Sequence, residues 1–119
     1  MNESRSITIT IMSGVEDGRN IDLSTGEGHG VFNGDLWTLS IGRSEARDII
    51  LQKDTFISRE HATLRFYDAQ WWLEDCGSKN GTFVETIDDE QRVTEPVMID
   101  PGQLFRVGRT WLRLHMIES

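Results

Sequence analysis

The sequence predicts an all-β fold, a sandwich or barrel of many short strands. Three observations predict it. Apolar residues alternate with polar ones at period two over short runs. The 11 glycines fall mostly between those runs. No long window carries the i, i+3, i+4 apolar stripe of a helix.

The runs follow in order. Ile7, Ile9 and Ile11 alternate with Thr8 and Thr10, which predicts a half-buried strand. Ser24–Asp35 holds four glycines and reads as a long surface loop. Trp37, Leu39 and Ile41 alternate with Thr38 and Ser40. Ile49–Leu51 is a shorter candidate. Ala62, Leu64 and Phe66 alternate with Thr63, Arg65 and Tyr67. Trp71–Asp75 and Thr82–Val84 follow as short strands. Thr86–Pro96 is polar and acidic and reads as a loop. Val97–Ile99 and Leu104–Val107 flank Pro101-Gly102, which has the chemistry of a tight turn. Leu112, Leu114 and Met116 alternate with Arg113 and His115 and close the pattern. Many short strands with turn signals between them indicate a sandwich or barrel.

A chain of 119 residues is the size of one domain, and 1–119 reads as a single one with no internal repeat or linker. Hydrophobic residues at 37% and charged residues at 27% are ordinary for a globular domain. The formal net charge is −8. That balance argues against nucleic acid and against an anionic membrane surface as partners. Met1–Ile11 lacks an apolar run of signal-peptide length, and no stretch nears the roughly 20 apolar residues of a membrane span. Cys76 is the only cysteine, so neither an internal disulfide nor a zinc knuckle is available. These features predict a cytoplasmic setting, and a monomer is the favoured state. The cations of the middle of the chain are grouped: Arg43, Arg47, Lys53, Arg59, Arg65 and Lys79 all fall between Gly42 and Asn80.

Three clusters stand at the ends of predicted strands: Gly42-Arg43, Ser58-Arg59-Glu60-His61, and Ser78-Lys79-Asn80-Gly81-Thr82. Loop ends held on a rigid sheet are where binding residues usually sit. Taken singly, each has an ordinary reading. A lone Gly-Arg pair is a solvated strand end, Ser58 caps a turn, and Arg59 serves an internal ion pair. Asn80-Gly81 is also the strongest short hairpin signal.

Taken together, Gly42-Arg43, Ser58-Arg59-x-His61 and Asn80-Gly81-Thr82 resemble the forkhead-associated (FHA) domain family. Asp48-Ile49-Ile50-Leu51, Phe56-Ile57, Trp72-Leu73-Glu74-Asp75 and Pro101-Gly102-Gln103-Leu104-Phe105-Arg106-Val107-Gly108 are similar to it as well. The likeness is strongest over 36–116. It implies a two-sheet antiparallel β-sandwich of about 11 short strands. It also implies loops at one end that bind a phosphothreonine peptide, and this family is a known class of phospho-motif reader. The expected function is phosphorylation-dependent protein–protein interaction in Ser/Thr kinase signalling. By resemblance, Arg43, Ser58 and Arg59 hold the phosphate and Asn80 holds the peptide main chain. Gly42, His61, Gly81 and Thr82 shape the loops. Ser78, Lys79 and Arg47 are additional candidate contacts, with Arg47 read as solvent-exposed.

The residue types suit that chemistry. A phosphate monoester carries about −1.5 to −2 charge and three acceptor oxygens, so it needs donors only. Guanidinium supplies a fork of them, and a serine hydroxyl adds a short one. A peptide backbone both donates and accepts, as the Asn80 amide does. Three or four charge-assisted bonds at about 1.5–3 kcal/mol each, less ordering costs, give affinity on the order of micromolar. Threonine gains over serine through one methyl, about 1 kcal/mol if pocketed.

The alternative is a phosphate-independent scaffold or self-association domain, with the acidic loop and the glycine-rich segment as its interface. Catalysis is not expected, because no nucleophile–base pair stands at a recognisable spacing. Nor do the lone cysteine and three scattered histidines make a metal site, so no cofactor is expected. Cys76 is expected to pack as a small hydrophobe and the tryptophans to pack in core or sheet.

Overall fold

The computed structural model describes residues 5–117, and all regular structure in it is strand. The strands are β1 (Ser6–Ser13), β2 (Asn20–Ser24), β3 (Val31–Asn33), β4 (Leu36–Gly42), β5 (Ile49–Ile50) and β6 (Ala62–Tyr67). They continue as β7 (Gln70–Asp75), β8 (Thr82–Glu85), β9 (Glu90–Arg92), β10 (Val97–Ile99), β11 (Leu104–Val107) and β12 (Thr110–Ile117). One sheet has the order β2-β1-β12-β11-β8-β9 and the other β10-β7-β6-β4-β3. Every pairing within those orders is antiparallel, and β5 adds a short parallel pairing to the end of β4.

The alternating residues do what their period requires. Ile7, Ile9 and Ile11 of β1 and Leu112 and Leu114 of β12 point inward and are fully buried. They join Trp37, Leu39 and Ile41 of β4, Leu64 and Phe66 of β6, and Trp71 and Leu73 of β7 in a single apolar cluster. Trp37 and Trp71 meet in a tilted pair with ring centroids 5.8 Å apart, a geometry aromatic quadrupoles favour. The residues between the inward ones of β1 and β4 are partly exposed, so these strands are amphipathic by register.

Three strands escape the sequence pattern. The segment expected to be a loop over Ser24–Asp35 contains β3, and the acidic segment Thr86–Pro96 contains β9. All residues of β3 and β9 are exposed, so no alternation marks them; they extend because a neighbouring strand offers a ladder. In β2 only Leu23 is buried. The glycine-rich segment is tied down by Asp48. That carboxylate accepts from the Gly30 amide at 3.0 Å and the Ser40 amide at 2.8 Å. Met116, expected on the inward face of β12, is instead 37% exposed near the sheet's end.

The chain reverses between β6 and β7 through Asp68 and Ala69, both in the left-handed region at φ 54° and 60°. This is the two-residue hairpin geometry that matches strand twist. At the opposite end of β6 and β7 lie the connections that matter most. The β4–β5, β5–β6, β7–β8 and β11–β12 connections are joined there by hydrogen bonds.

Candidate functional site

The site is built outward from two glycines and three polar side chains, of which His61 and Asp54 are buried and Asp75 is half-buried. Gly42 ends β4. A methyl group there would sit 2.0 Å from the Arg59 carbonyl oxygen, so only glycine lets the β5–β6 connection lie against the strand. The contact is sealed by the Arg43 amide donating to the Ser58 carbonyl at 3.0 Å. Gly108, in the β11–β12 turn, has φ +57° and a pro-Cβ position 2.7 Å from Ile57. It lets that turn press on the same connection from the other sheet.

His61 is fully buried and bridges two loops. The Ser58 amide donates to Nδ1 at 3.0 Å, so Nδ1 carries no proton. Nε2 lies 2.9 Å from the Gly81 carbonyl oxygen and must therefore be the N–H that donates to it. The ring is held neutral in one tautomer. Burial pushes its pKa below 6.5, against the opposing pull of the Gly81 bond and the Asp75 and Asp54 charges.

Asp75 organises the loop after β7. Its carboxylate accepts from the Ser78 hydroxyl at 2.5 Å, the Thr82 hydroxyl at 2.6 Å, and the Gly77 and Ser78 amides at 3.1 and 3.0 Å. Burial raises its pKa. The Ser78 and Thr82 hydroxyls and the Ser78 amide outweigh that and bring it below 3.8. Asp54 plays the same part for the β5–β6 connection. It accepts from Phe56 N at 2.9 Å, from Arg109 N at 2.8 Å and from the Thr110 hydroxyl at 2.8 Å. In the sequence Asp75 appears only as the last residue of a family-like strand, and Asp54 does not stand out. The available signals are Asp75 ahead of Gly77-Ser78 and Asp54 ahead of Thr55-Phe56, both spaced for a side chain that closes its own turn.

On this frame the expected contact residues come together. Arg43 is exposed; its Nε donates to the Ile57 carbonyl at 3.0 Å, which aims the guanidinium and leaves its terminal nitrogens without a protein acceptor among the described residues. Arg59 is exposed, and with Arg43, Ser44, Glu45 and Gln52 it lines a depression of about 430 Å³. The Ser58 hydroxyl accepts from the Lys79 amide at 3.1 Å, leaving its own proton free for a ligand. Asn80 donates through Nδ2 to the Phe56 carbonyl at 2.9 Å, and its Oδ1 has no partner among the described residues. Gly81 and Thr82 are buried in the loop base.

Other expected contacts are placed differently. The Ser78 hydroxyl donates to Asp75 and accepts from the Gly81 amide, so it serves the loop. Arg47, expected to be exposed, has a side chain only 22% exposed and lies 3.6 Å from Glu60. Arg65 pairs with Glu74 on the outer sheet face and is not part of the cluster. Cys76 is exposed, 3.1 Å from the Thr63 hydroxyl, and not packed as a hydrophobe. One cation joined the site unannounced. Arg109 lies over the Phe56 ring, with its guanidinium carbon 3.6 Å from the ring centroid. Among the described residues, none of Arg43, Arg59, Lys79 and Arg109 has an ion-pair partner.

A sandwich carrying donor-rich loops at one rim is the frame of a recognition domain. Residues 39–108 match the FHA domain family model, and the chain belongs to that family. The chain is 34% identical over 90 residues to the FHA domain-containing protein FhaB of Mycobacterium tuberculosis, covering 71% of this chain and 55% of FhaB. It thus spans about half the length of the curated relatives it matches. Among solved structures, the FHA domain of CT664 from Chlamydia trachomatis is similar at a TM-score of 0.72. That likeness has 24% identity and covers 95% of this chain and 99% of that one. Mycobacterium tuberculosis EmbR, solved with a low-affinity phosphopeptide, is similar at a TM-score of 0.70 and 19% identity over 96% of this chain and 25% of the EmbR chain. These structural likenesses establish the two-sheet fold.

Proposed function

We propose that this domain binds phosphothreonine peptides and so mediates phosphorylation-dependent protein–protein interaction in Ser/Thr kinase signalling, within the cytoplasm. One observation carries the reading. Arg43 and Arg59, which have no ion-pair partner among the described residues, and a serine hydroxyl with its proton free lie beside an asparagine whose carbonyl has no partner among them. The first three are donors for a dianion, and the last suits a backbone N–H. Membership of the FHA family and the phosphopeptide complex of EmbR support it. The domain is proposed to act by binding alone. The net charge of −8 sets a repulsive background for loose polyanions, so attraction is local to the rim.

Calorimetric titration with one peptide in phosphothreonine, phosphoserine and unphosphorylated forms tests this. The phosphothreonine form is expected to bind most tightly and the unphosphorylated form not at all. Arg43→Ala should weaken binding about 10- to 100-fold, the equivalent of losing a bidentate charged contact. It should lower folding stability by about 1 kcal/mol or less, since only one part-buried bond to Ile57 goes. Equal binding of all three forms would instead favour a phosphate-independent scaffold.

A further inference from the structure

Arg109 and Phe56 form a built surface next to the proposed ligand. The Phe56 ring is 38% exposed, and the Arg109 guanidinium covers it at 3.6 Å. Both backbones are fixed by one group, because Asp54 accepts from Phe56 N through Oδ1 and from Arg109 N through Oδ2. The two side chains therefore start from backbones held at a fixed separation. Phe56 also supplies the carbonyl that holds Asn80 at 2.9 Å, so the platform adjoins the residue assigned to the peptide main chain. It is separate from the phosphate depression, which is lined by Arg43, Ser44, Glu45, Gln52 and Arg59. Arg109 is exposed and has no carboxylate partner among the described residues. A guanidinium stacked face-on to a ring keeps its N–H edge free to fork onto a carboxylate.

We propose that the Arg109–Phe56 stack is a specificity element that selects ligands carrying an acidic side chain near the phosphothreonine. This rests on the phosphopeptide reading above. The ligand class is an acidic phosphopeptide, with aspartate or glutamate placed where the main chain passes Asn80. The net charge of −8 disfavours acidic peptides overall, so their attraction has to come from local cations such as Arg109.

The test uses phosphothreonine peptides in which each flanking position is in turn aspartate, alanine or lysine, titrated against the wild-type domain, Arg109→Gln and Arg109→Glu. At one flanking position, wild type is expected to prefer aspartate over lysine by roughly three- to tenfold, with the ratio shrinking as salt rises. Arg109→Gln should bring that ratio to near one, and Arg109→Glu should invert it. Inversion is a gain that a damaged fold does not produce. A wild-type domain that binds phosphothreonine peptides with no acidic preference, or variants that keep the preference, would overturn the proposal and leave the phosphate site standing. Failure of wild type to bind any phosphothreonine peptide would overturn both.

Discussion

Replacing His61 with alanine tests the central joint of the structure. The ring is fully buried and uses both nitrogens, one for the Ser58 amide and one for the Gly81 carbonyl. Alanine removes both partners at once. A buried polar group left without a partner costs about 1–3 kcal/mol, and the space vacated by the ring adds to that. Ser58 is half-buried and recovers some of its loss from water, whereas Gly81 is buried. The sum is a loss of about 3–5 kcal/mol, a large part of the roughly 5–15 kcal/mol that holds a domain together. For a domain of this size the melting temperature should fall by roughly 10–20 °C. Urea denaturation followed by fluorescence of the buried Trp37 and Trp71 measures it. The slope of free energy against urea should stay that of wild type, since the surface exposed on unfolding hardly changes. A loss under about 1 kcal/mol would refute the claim that His61 bridges two otherwise unsatisfied groups.

Two further outcomes follow from local chemistry. His61 has its folded-state pKa lowered by burial, so below pH 6.5 the unfolded chain takes up a proton that the folded chain refuses. Stability should be fully present above pH 6.5 and decline as pH falls toward the lowered value; in urea titrations at pH 7.5 and 5.5, His61→Asn should show a flatter dependence, and equal slopes would contradict this. Ala69 sits at φ 60° in the hairpin turn, a conformation that costs an L-residue about 1–2 kcal/mol. Ala69→Gly should therefore raise stability by about 0.5–1 kcal/mol after its greater unfolded-state entropy is counted, and an unchanged or lower urea midpoint would show the turn is unstrained.

Much of the fold was legible because burial writes itself into sequence as alternation. Ile7, Ile9 and Ile11, or Trp37, Leu39 and Ile41, leave little choice of period. What stayed hidden had no such imprint. Val31–Asn33 and Glu90–Arg92 are strands with every residue exposed, so only their ladders define them. At the candidate site, the clusters that resemble the family meet at one rim of the sandwich. The division of labour within them was not readable, because it depends on which hydroxyl faces which carboxylate. Ser78 and Ser58 look alike in sequence, yet the proton of Ser78 is committed to Asp75 while that of Ser58 has no assigned acceptor. Arg109 escaped notice because its neighbour on the surface, Phe56, is far from it along the chain.

Asp54, Asp75 and His61 hold the loops, while the side chains of Arg43, Arg59, Lys79 and Arg109 are exposed and add to the loops' own contacts only one bond from Arg43 and the stack of Arg109 on Phe56. The scaffold of the rim and its reading surface are thus two nearly independent sets of residues. Substitution in the exposed set changes what is recognised at little cost in folding, since exposed positions away from buried polar groups shift stability by about 0.5 kcal/mol or less. Such a rim is open to evolutionary retuning: new ligand preferences arise one surface side chain at a time, on loops whose shape is already guaranteed from within.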